Sequence, residues 1–365
     1  MQVNRKKVTM RDIANQLGIS LATVQRALNG KGSVSESTLK IVWQTAGDLG
    51  YHVDRLSPNA IDMPVNIAIL LRNVAPEFQS MIEDGVNTAL FELSNRRVRG
   101  RIIRIEPQDY GRSLQENLLR VAEEGYDGVV FYTYKGITVQ ELSITERLRE
   151  KNIKMATMYT DEGVDQSYME FAVMPDAERA GRIAAELLSM QGLGPGSSAV
   201  VFLGQREFQL HRNYLSGFAH GCETFGIRIA DVVEHRDDER IAYYAADQLL
   251  IENPNINGIY CCTGVTSPIC RRVRELGLQD KITIIGTEVI DETAEYIRNG
   301  TLSATLFMDP FKMGYEAVRG LYYAITGCRE VEKRIMITPK IVIRANIDCY
   351  INSGCKKQAN KELEI

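Results

Sequence analysis

Residues 20–29, Ser-Leu-Ala-Thr-Val-Gln-Arg-Ala-Leu-Asn, put an amide, a guanidinium and two apolar side chains near the start of one short helix. Those groups suit the edges of base pairs. Glutamine can bond adenine through two hydrogen bonds, arginine can do the same with guanine, and alanine and leucine can meet thymine methyls. Leu21, Ala22, Gln25 and Arg26 are the side chains placed for that work. Ser20, Thr23, Asn29, Ser33, Ser35 and Thr38 add hydroxyls and an amide around helix starts, which is the chemistry of phosphate contacts.

Readers of this kind need a scaffold, and the sequence around them predicts three short helices. Thr9 and Asp12 form a Thr-x-x-Asp variant of the capping box, opening a helix that runs to Leu17 and stops at Gly18. Ser20 caps the second helix, which ends at Asn29-Gly30. Ser35 caps the third, which passes through Leu39, Val42, Trp43 and Leu49 and stops at Gly50. Ala14 is small where two helices cross, Gly18 permits the tight turn, and Ile19, Val24 and Leu28 pack back on Ile13 and Leu17. Two short helices joined by a Gly-containing turn make a helix-turn-helix unit, whose second helix enters the major groove. A three-helix protein-binding module is the alternative reading of the same pattern.

The charge is distributed accordingly. The 365 residues carry a net charge of -4, but residues 1–56 hold eight Lys/Arg against four Asp/Glu, a net of +4, leaving -8 on the remainder. A basic end on an acidic body is what a chain needs when one small domain meets phosphates. With 44% hydrophobic and 25% charged residues, two or three ordinary globular domains are expected. No run of ~18 apolar residues predicts a membrane span, and the polar, basic Met1–Lys7 does not read as a secretory signal, so a cytoplasmic location is expected. The seven cysteines are odd in number and lack CxxC spacing, so they read as reduced, mostly buried thiols. His52, His211, His220 and His235 form no zinc pattern, so no metal and no cofactor is expected.

The sequence carries no recognisable motif of enzyme chemistry. Gly194-Pro195-Gly196-Ser197-Ser198-Ala199 matches GxGxxA on paper, but it precedes a strand instead of following one, so it reads as a turn. Walker A, HExxH and GxSxG motifs are missing, and no catalytic residue is assigned. A Rossmann-type enzyme is therefore the minor reading. The basic run Arg96–Arg101 reads as a solvated loop before a strand.

From Val65 onward, β-rich runs alternate with amphipathic helical stretches. Strands are predicted at 66–71, 101–107, 128–132, 154–158, 198–203, 227–234, 258–262 and 283–287, with helices at about 78–95, 111–124, 138–151, 176–191, 211–225, 238–252, 266–276 and 291–299. This alternation builds α/β layers, parallel sheets with helices on both faces, and such sheets bind ligands at the carboxyl ends of their strands. The pattern repeats in halves. Residues 302–309 and 339–343 read as late strands that cross back. The helix at about 78–95, through Phe78, Met81, Ile82, Val86, Ala89 and Leu90, offers either a dimer face or plain core.

The ordered motifs of the first 51 residues resemble one family. Val8-Thr9-Met10-Arg11-Asp12-Ile13-Ala14, then Gly18-Ile19-Ser20-x-Ala22-Thr23-Val24-x-Arg26-Ala27-Leu28-Asn29-Gly30, Val34-Ser35-x-x-Thr38 and Leu49-Gly50-Tyr51 look like the headpiece of the lactose-repressor/galactose-repressor (LacI/GalR) family. The resemblance implies DNA contacts from Met10, Arg11, Ser20, Leu21, Ala22, Thr23, Gln25, Arg26, Asn29, Ser33, Ser35, Thr38 and Tyr51. It also implies a homodimer on pseudo-palindromic double-stranded operator DNA. Gln25 stands where the family usually has Ser, which implies an altered operator preference. The linker departs further: Pro58 and Pro64 interrupt any hinge helix, and Ala60 stands near the usual minor-groove leucine, with Leu56 as a substitute.

Residues 65–345 resemble the periplasmic sugar-binding-protein fold that accompanies this headpiece. The implied organisation is a headpiece at 1–56, a linker at 57–64, a two-subdomain ligand-binding domain at 65–350 and a polar tail at 351–365. The N-subdomain would take about 65–160 and 289–320, and the C-subdomain about 161–288 and 321–350. By the resemblance, Asn73, Phe78, Arg212, Thr263, Glu288 and Met308 surround an interdomain cleft, and Tyr159 and Asp161 are candidates by position. A guanidinium, a carboxylate and an aromatic face suit a carbohydrate effector, although Arg212 also reads as a structural ion-pair residue. Thr263 replaces a usual Asn/Asp and Met308 a usual Gln, which implies an unusual or less hydroxylated ligand. The expected function is a DNA-binding transcription regulator, a repressor, switched by a small molecule. A ligand-binding module that no longer regulates DNA is the alternative.

Overall fold

The computed structural model describes residues 8–29, 34–35, 38, 41–42, 45–46, 64–72, 76–106, 110–132, 139–162 and 164–351, less the side chains of 29, 95, 110 and 139–142. Ser33, Tyr51, Asn73, most of the linker (57–63) and the tail from 352 lie outside the described residues.

The headpiece opens with α1 (Met10–Leu17) and α2 (Leu21–Asn29). The Asp12 carboxylate reaches back to accept the Thr9 amide at 2.8 Å and its hydroxyl at 2.6 Å, so the first helix start is capped as its sequence predicts. Gly18 ends α1 with φ 65°, a left-handed turn that a side chain would strain. Ser20 Oγ accepts the Thr23 amide and Ser35 Oγ the Thr38 amide, so the second and third helices begin where the serines predicted. Residues 38, 41–42 and 45–46 are helical. Ile13, Ala14, Val24, Ala27, Leu28, Val42 and Ala46 form one closed core. Burying Val24 and Leu28 alone is worth about 1.5–3 kcal/mol each.

The first sheet runs through β1 (Val65–Arg72), β2 (Val98–Ile105), β3 (Gly128–Tyr132), β4 (Lys154–Met158) and β5 (Met169–Pro175). The second contains β6 (Ser198–Leu203), β7 (Arg228–Glu234), β8 (Ile256–Cys261), β9 (Thr283–Thr287) and β10 (Ala304–Phe307). Two late strands, β11 (Arg334–Ile337) and β12 (Lys340–Val342), complete them. The orders are β11-β5-β4-β3-β1-β2 and β12-β10-β9-β8-β6-β7. Within each, the first five strands repeat one topology, 2-1-3-4-5, with β1 and β6 each pairing in parallel on both sides. That order has a switch point between the first and third strands, where adjacent connections leave in opposite directions and open a crevice at the carboxyl ends.

The helices are α3 (Pro76–Glu92), α4 (Tyr110–Glu123), α5 (Val139–Glu150), α6 (Ala177–Met190), α7 (Gln209–Phe225), α8 (Glu239–Glu252), α9 (Ser267–Glu275), α10 (Asp291–Asn299) and α11 (Pro310–Thr326). The chain forms two compact units, Met1–Met174 with Pro310–Ile335, and Pro175–Asp309 with Met336–Ile365.

These divisions differ from the expected 160/161, 288/289 and 320/321. The reason is pairing. β5 bonds to β4 and so belongs to the first sheet, while β10 bonds to β9 and keeps residues 289–309 in the second unit. Residues 302–309 and 339–343 do not cross back, because β10 and β12 pair with each other in the second sheet. The crossing is made by α11 and β11. The basic run also shifts register: β2 starts at Val98, placing Arg99 and Arg101 as exposed residues of an edge strand instead of a loop. Gly194–Ala199 is the expected turn, closed by the Ser197 amide on the Gly194 carbonyl, 2.9 Å, and leading into β6.

Each unit contains a helix pair in backbone contact. A Cβ at Gly181 would overlap the Tyr214 carbonyl and Phe218 amide, and one at Gly217 would overlap the Glu178 carbonyl, locking α6 on α7. Gly85 and Gly314 do the same for α3 and α11. Ile82, Val86 and Ala89 of α3 are therefore core, whereas Phe78, Met81 and Leu90 are half-buried. Gly217→Ala is expected to cost about 1–3 kcal/mol, because backbone cannot move aside as a side-chain tip can. Gly194→Ala, where the nearest atom is 3.7 Å away, should be near neutral. Urea unfolding of the two variants checks the contrast.

Candidate functional site

The residues expected to form sites fall into two sets, and the first lies on the headpiece surface. Arg11, Ser20, Ala22, Gln25, Arg26 and Ser35 are exposed there, while Met10, Thr23 and Thr38 are half-buried. Arg26 lies along its own helix, its Nε donating to the Ala22 carbonyl at 3.2 Å. Ser20 and Thr23 share a 2.8 Å hydroxyl contact at the amino end of α2, where unpaired amides and the helix dipole favour a phosphate. Leu21 and Met10 pack against the buried cluster, so the side chains turned to solvent at the start of α2 are Ala22, Gln25 and Arg26.

The second set lies at strand carboxyl ends. In the first unit, Phe78 in the first turn of α3 packs against Tyr159, centroids 5.5 Å apart. Tyr132, the last residue of β3, packs on the other side at 4.9 Å. Tyr132 escaped the sequence reading, although its place at the end of an apolar strand was a usable signal. Tyr159 sits at φ 81°, held by its amide on the Val173 carbonyl, which aims the ring past the strand end. Asp161 is buried, and its Oδ2 accepts Arg334 Nε at 2.8 Å, so this carboxylate serves an ion pair within the unit.

In the second unit, Arg212, Thr263, Glu288 and Met308 follow β6, β8, β9 and β10. Sheet order brings those four strand ends side by side. Arg212 is exposed, and its Nη1 donates to the Arg206 and Glu207 carbonyls, so it also shapes its own loop. Met308 is 1% exposed and contributes its amide, which bonds the Glu288 carboxyl. Glu288 takes φ 69°, with its amide on the Leu306 carbonyl and its carbonyl accepting Thr305 Oγ1 at 2.7 Å. Its Oε2 is buried without a hydrogen bond. Burial, with Asp309 adding to it, pushes this carboxyl up to about 8. Asp309 is itself paired with Lys340 at 2.6 Å.

Thr263 is 8% exposed and bonds His235, a fully buried residue that the sequence marks only as lying outside any zinc pattern. Nothing in local spacing links the two, since 28 residues separate them. His211 lies in the same region, its Nδ1 against the Gln205 backbone. Cys222, Cys261, Cys262 and Cys270 are buried thiols, as expected, and burial raises all four. Among the described residues no His/Cys/Asp/Glu group could hold a metal, and no helix is long and apolar enough to cross a membrane.

The family described as "Periplasmic binding protein domain" matches residues 74–328, and "Bacterial regulatory proteins, lacI family" matches residues 9–54. The chain belongs to the periplasmic-binding-protein-domain family and is a LacI-family transcription regulator, with the helix-turn-helix domain at its amino end. It is similar to the HTH-type transcriptional regulator DegA of Bacillus subtilis (strain 168), with 24% identity covering 93% of this chain and 97% of that one. It is similar also to the HTH-type transcriptional repressor PurR of Erwinia tasmaniensis, with 23% identity over 93% and 96%. Among solved structures it resembles GanP, a glucose-galactose binding protein from Geobacillus stearothermophilus, with TM-score 0.66 and 21% identity over 78% of this chain and 98% of that one. That likeness establishes the fold.

Proposed function

We propose that this regulator is an operator-binding repressor, acting as a cytoplasmic homodimer, whose DNA affinity is set by a small carbohydrate-like effector. The observation that carries the reading is the joint presence of a recognition helix with exposed Ala22, Gln25 and Arg26 and, in the same chain, aromatic or polar side chains at the strand carboxyl ends of two 2-1-3-4-5 sheets. Phe78, Tyr132 and Tyr159 offer aromatic faces to the apolar side of a ring. Arg212, Thr263 and Glu288 offer directional polar groups.

Two headpieces would read the two halves of a pseudo-palindrome. An effector that binds one state of the sensor better than another shifts operator affinity by that difference in affinity, and operator DNA shifts effector affinity by the same factor. PurR is named a repressor and GanP a glucose-galactose binding protein, which supports the direction of control and the effector class.

The test is fluorescence anisotropy of the purified chain on DNA from its own upstream region, with scrambled DNA as reference, across a panel of sugars. Selective binding that changes with one compound is expected. Equal affinity for both DNAs at every effector level would overturn the reading.

A further inference from the structure

His235 closes β7 and sits at 0% exposure behind the switch point of the second sheet. Its two ring nitrogens have distinct partners. Nδ1 accepts the Asp237 amide at 3.1 Å, so it carries no proton. The proton is therefore on Nε2, 3.1 Å from Thr263 Oγ1, and the imidazole donates to the hydroxyl. The same hydroxyl oxygen accepts the Val265 amide at 3.3 Å. Both acceptor positions of Thr263 are thus filled from within the unit, and its one remaining valence is the O–H.

We propose that His235 fixes the polarity of the Thr263 hydroxyl as a donor, so that the second unit selects an acceptor-rich effector, a sugar acid or related hydroxy-carboxylate, over a neutral sugar. The inference rests on the reading that this unit holds the effector. Three further observations agree with it. Arg212 places a cation in the first turn of α7, the helix that follows β6. The buried Glu288 Oε2 has no hydrogen bond, and Lys340, the cation nearest to Asp309, is paired with that aspartate. Burial and Asp309 together hold the Glu288 proton to about pH 8, so this carboxyl too can donate, and it does not repel an anion. A hydroxyl from a neutral sugar can satisfy such donors, but an oxygen bearing charge satisfies them more strongly.

The imidazole stays neutral through the ordinary pH range. Burial, first, and His211 beside it push His235 down to about 4, against the pull of Asp237 and Asp238.

The experiment is calorimetry of the full chain with D-gluconate, D-glucuronate and D-galacturonate against D-glucose, D-galactose and D-ribose. At least one acid should bind about 10-fold tighter than its neutral counterpart, the scale of one charge-assisted hydrogen bond. Thr263→Val should erase most of that preference. His235→Gln, whose amide can reach the Nε2 position and still donate to Thr263, should keep it. His235→Asn, which preserves only the Nδ1 acceptor, should lose it, with thermal melts confirming that each variant is folded. Nitrogen NMR of the histidine rings should place the His235 proton on Nε2.

A neutral sugar binding as tightly as its acid, an acid preference that survives Thr263→Val, or a proton on Nδ1 would each overturn the proposal. So would a panel with no binder. If operator binding responds to a neutral sugar alone, the regulator reading stands while the acid preference falls.

Discussion

Replacing Arg26 with Ala should abolish selective operator binding while leaving the fold unchanged. Arg26 is exposed on α2, and its neighbours in the helix, Val24, Ala27 and Leu28, carry the packing, so truncation leaves the headpiece core intact. A bidentate contact to guanine is worth about 1–3 kcal/mol of discrimination at each half-site. Two half-sites double that loss, so selective affinity should fall about 100-fold or more while binding to scrambled DNA changes far less. Anisotropy titrations at fixed salt measure both, and the salt must be held because phosphate contacts scale steeply with it. The result separates two readings of the chain. A module that no longer regulates DNA would show the same weak, unselective binding with either residue.

Glu288→Gln should stabilise the protein at alkaline pH and flatten its stability profile. The folded carboxyl keeps its proton to about pH 8, against an ordinary value of 4.5, chiefly because Oε2 is buried and secondarily because Asp309 lies near. Folding therefore favours the protonated form. Its contribution is complete below pH 4.5 and drains away as pH rises toward 8, at about 1.4 kcal/mol per pH unit. Between pH 5.5 and 8.5 the native protein should lose about 3 kcal/mol more than the glutamine variant, whose amide has no charge to bury. Burial holds the neighbouring Tyr214 hydroxyl well above its ordinary range, so it adds no titration of its own over that interval. Urea titrations at the two pH values measure the difference, and parallel losses in both proteins would refute the assignment.

The headpiece was legible because its signals are local. Thr9, Gly18, Ser20 and Ser35 each act within three or four residues, and the structure uses each of them as its type predicts. The sheets were legible where apolar runs alternate with helices. β5 was missed because a loop, not a helix, joins it to β4. β11 was missed because it is only four residues long, and Ile335-Met336-Ile337 after the charged Arg334 is too short an apolar run to mark a buried strand. The packing of α11 on α3 depends on two glycines 229 positions apart (Gly85 and Gly314), a pairing that no local pattern carries. The effector side was legible in residue type and not in connection. Thr263 and Glu288 stood at strand ends as expected, whereas the hydrogen bond from His235 and the ion pair from Arg334 to Asp161 depend on the sheet being assembled.

That α11 and β11 belong to the first unit although they follow five of the second sheet's strands, β6 to β10, in sequence bears on synthesis at the ribosome. The headpiece core, whose described members run from Ile13 to Ala46, can close early. The first sheet cannot: Leu321 covers Gly128, Gly320 lies on Phe171, and the backbone at Phe311 seats on Gly85. Until residues 310–335 emerge, the nascent chain carries a DNA-reading head beside a half-covered apolar sheet. A chain terminated before Pro310 would be a substrate for chaperones and proteases, not a smaller regulator.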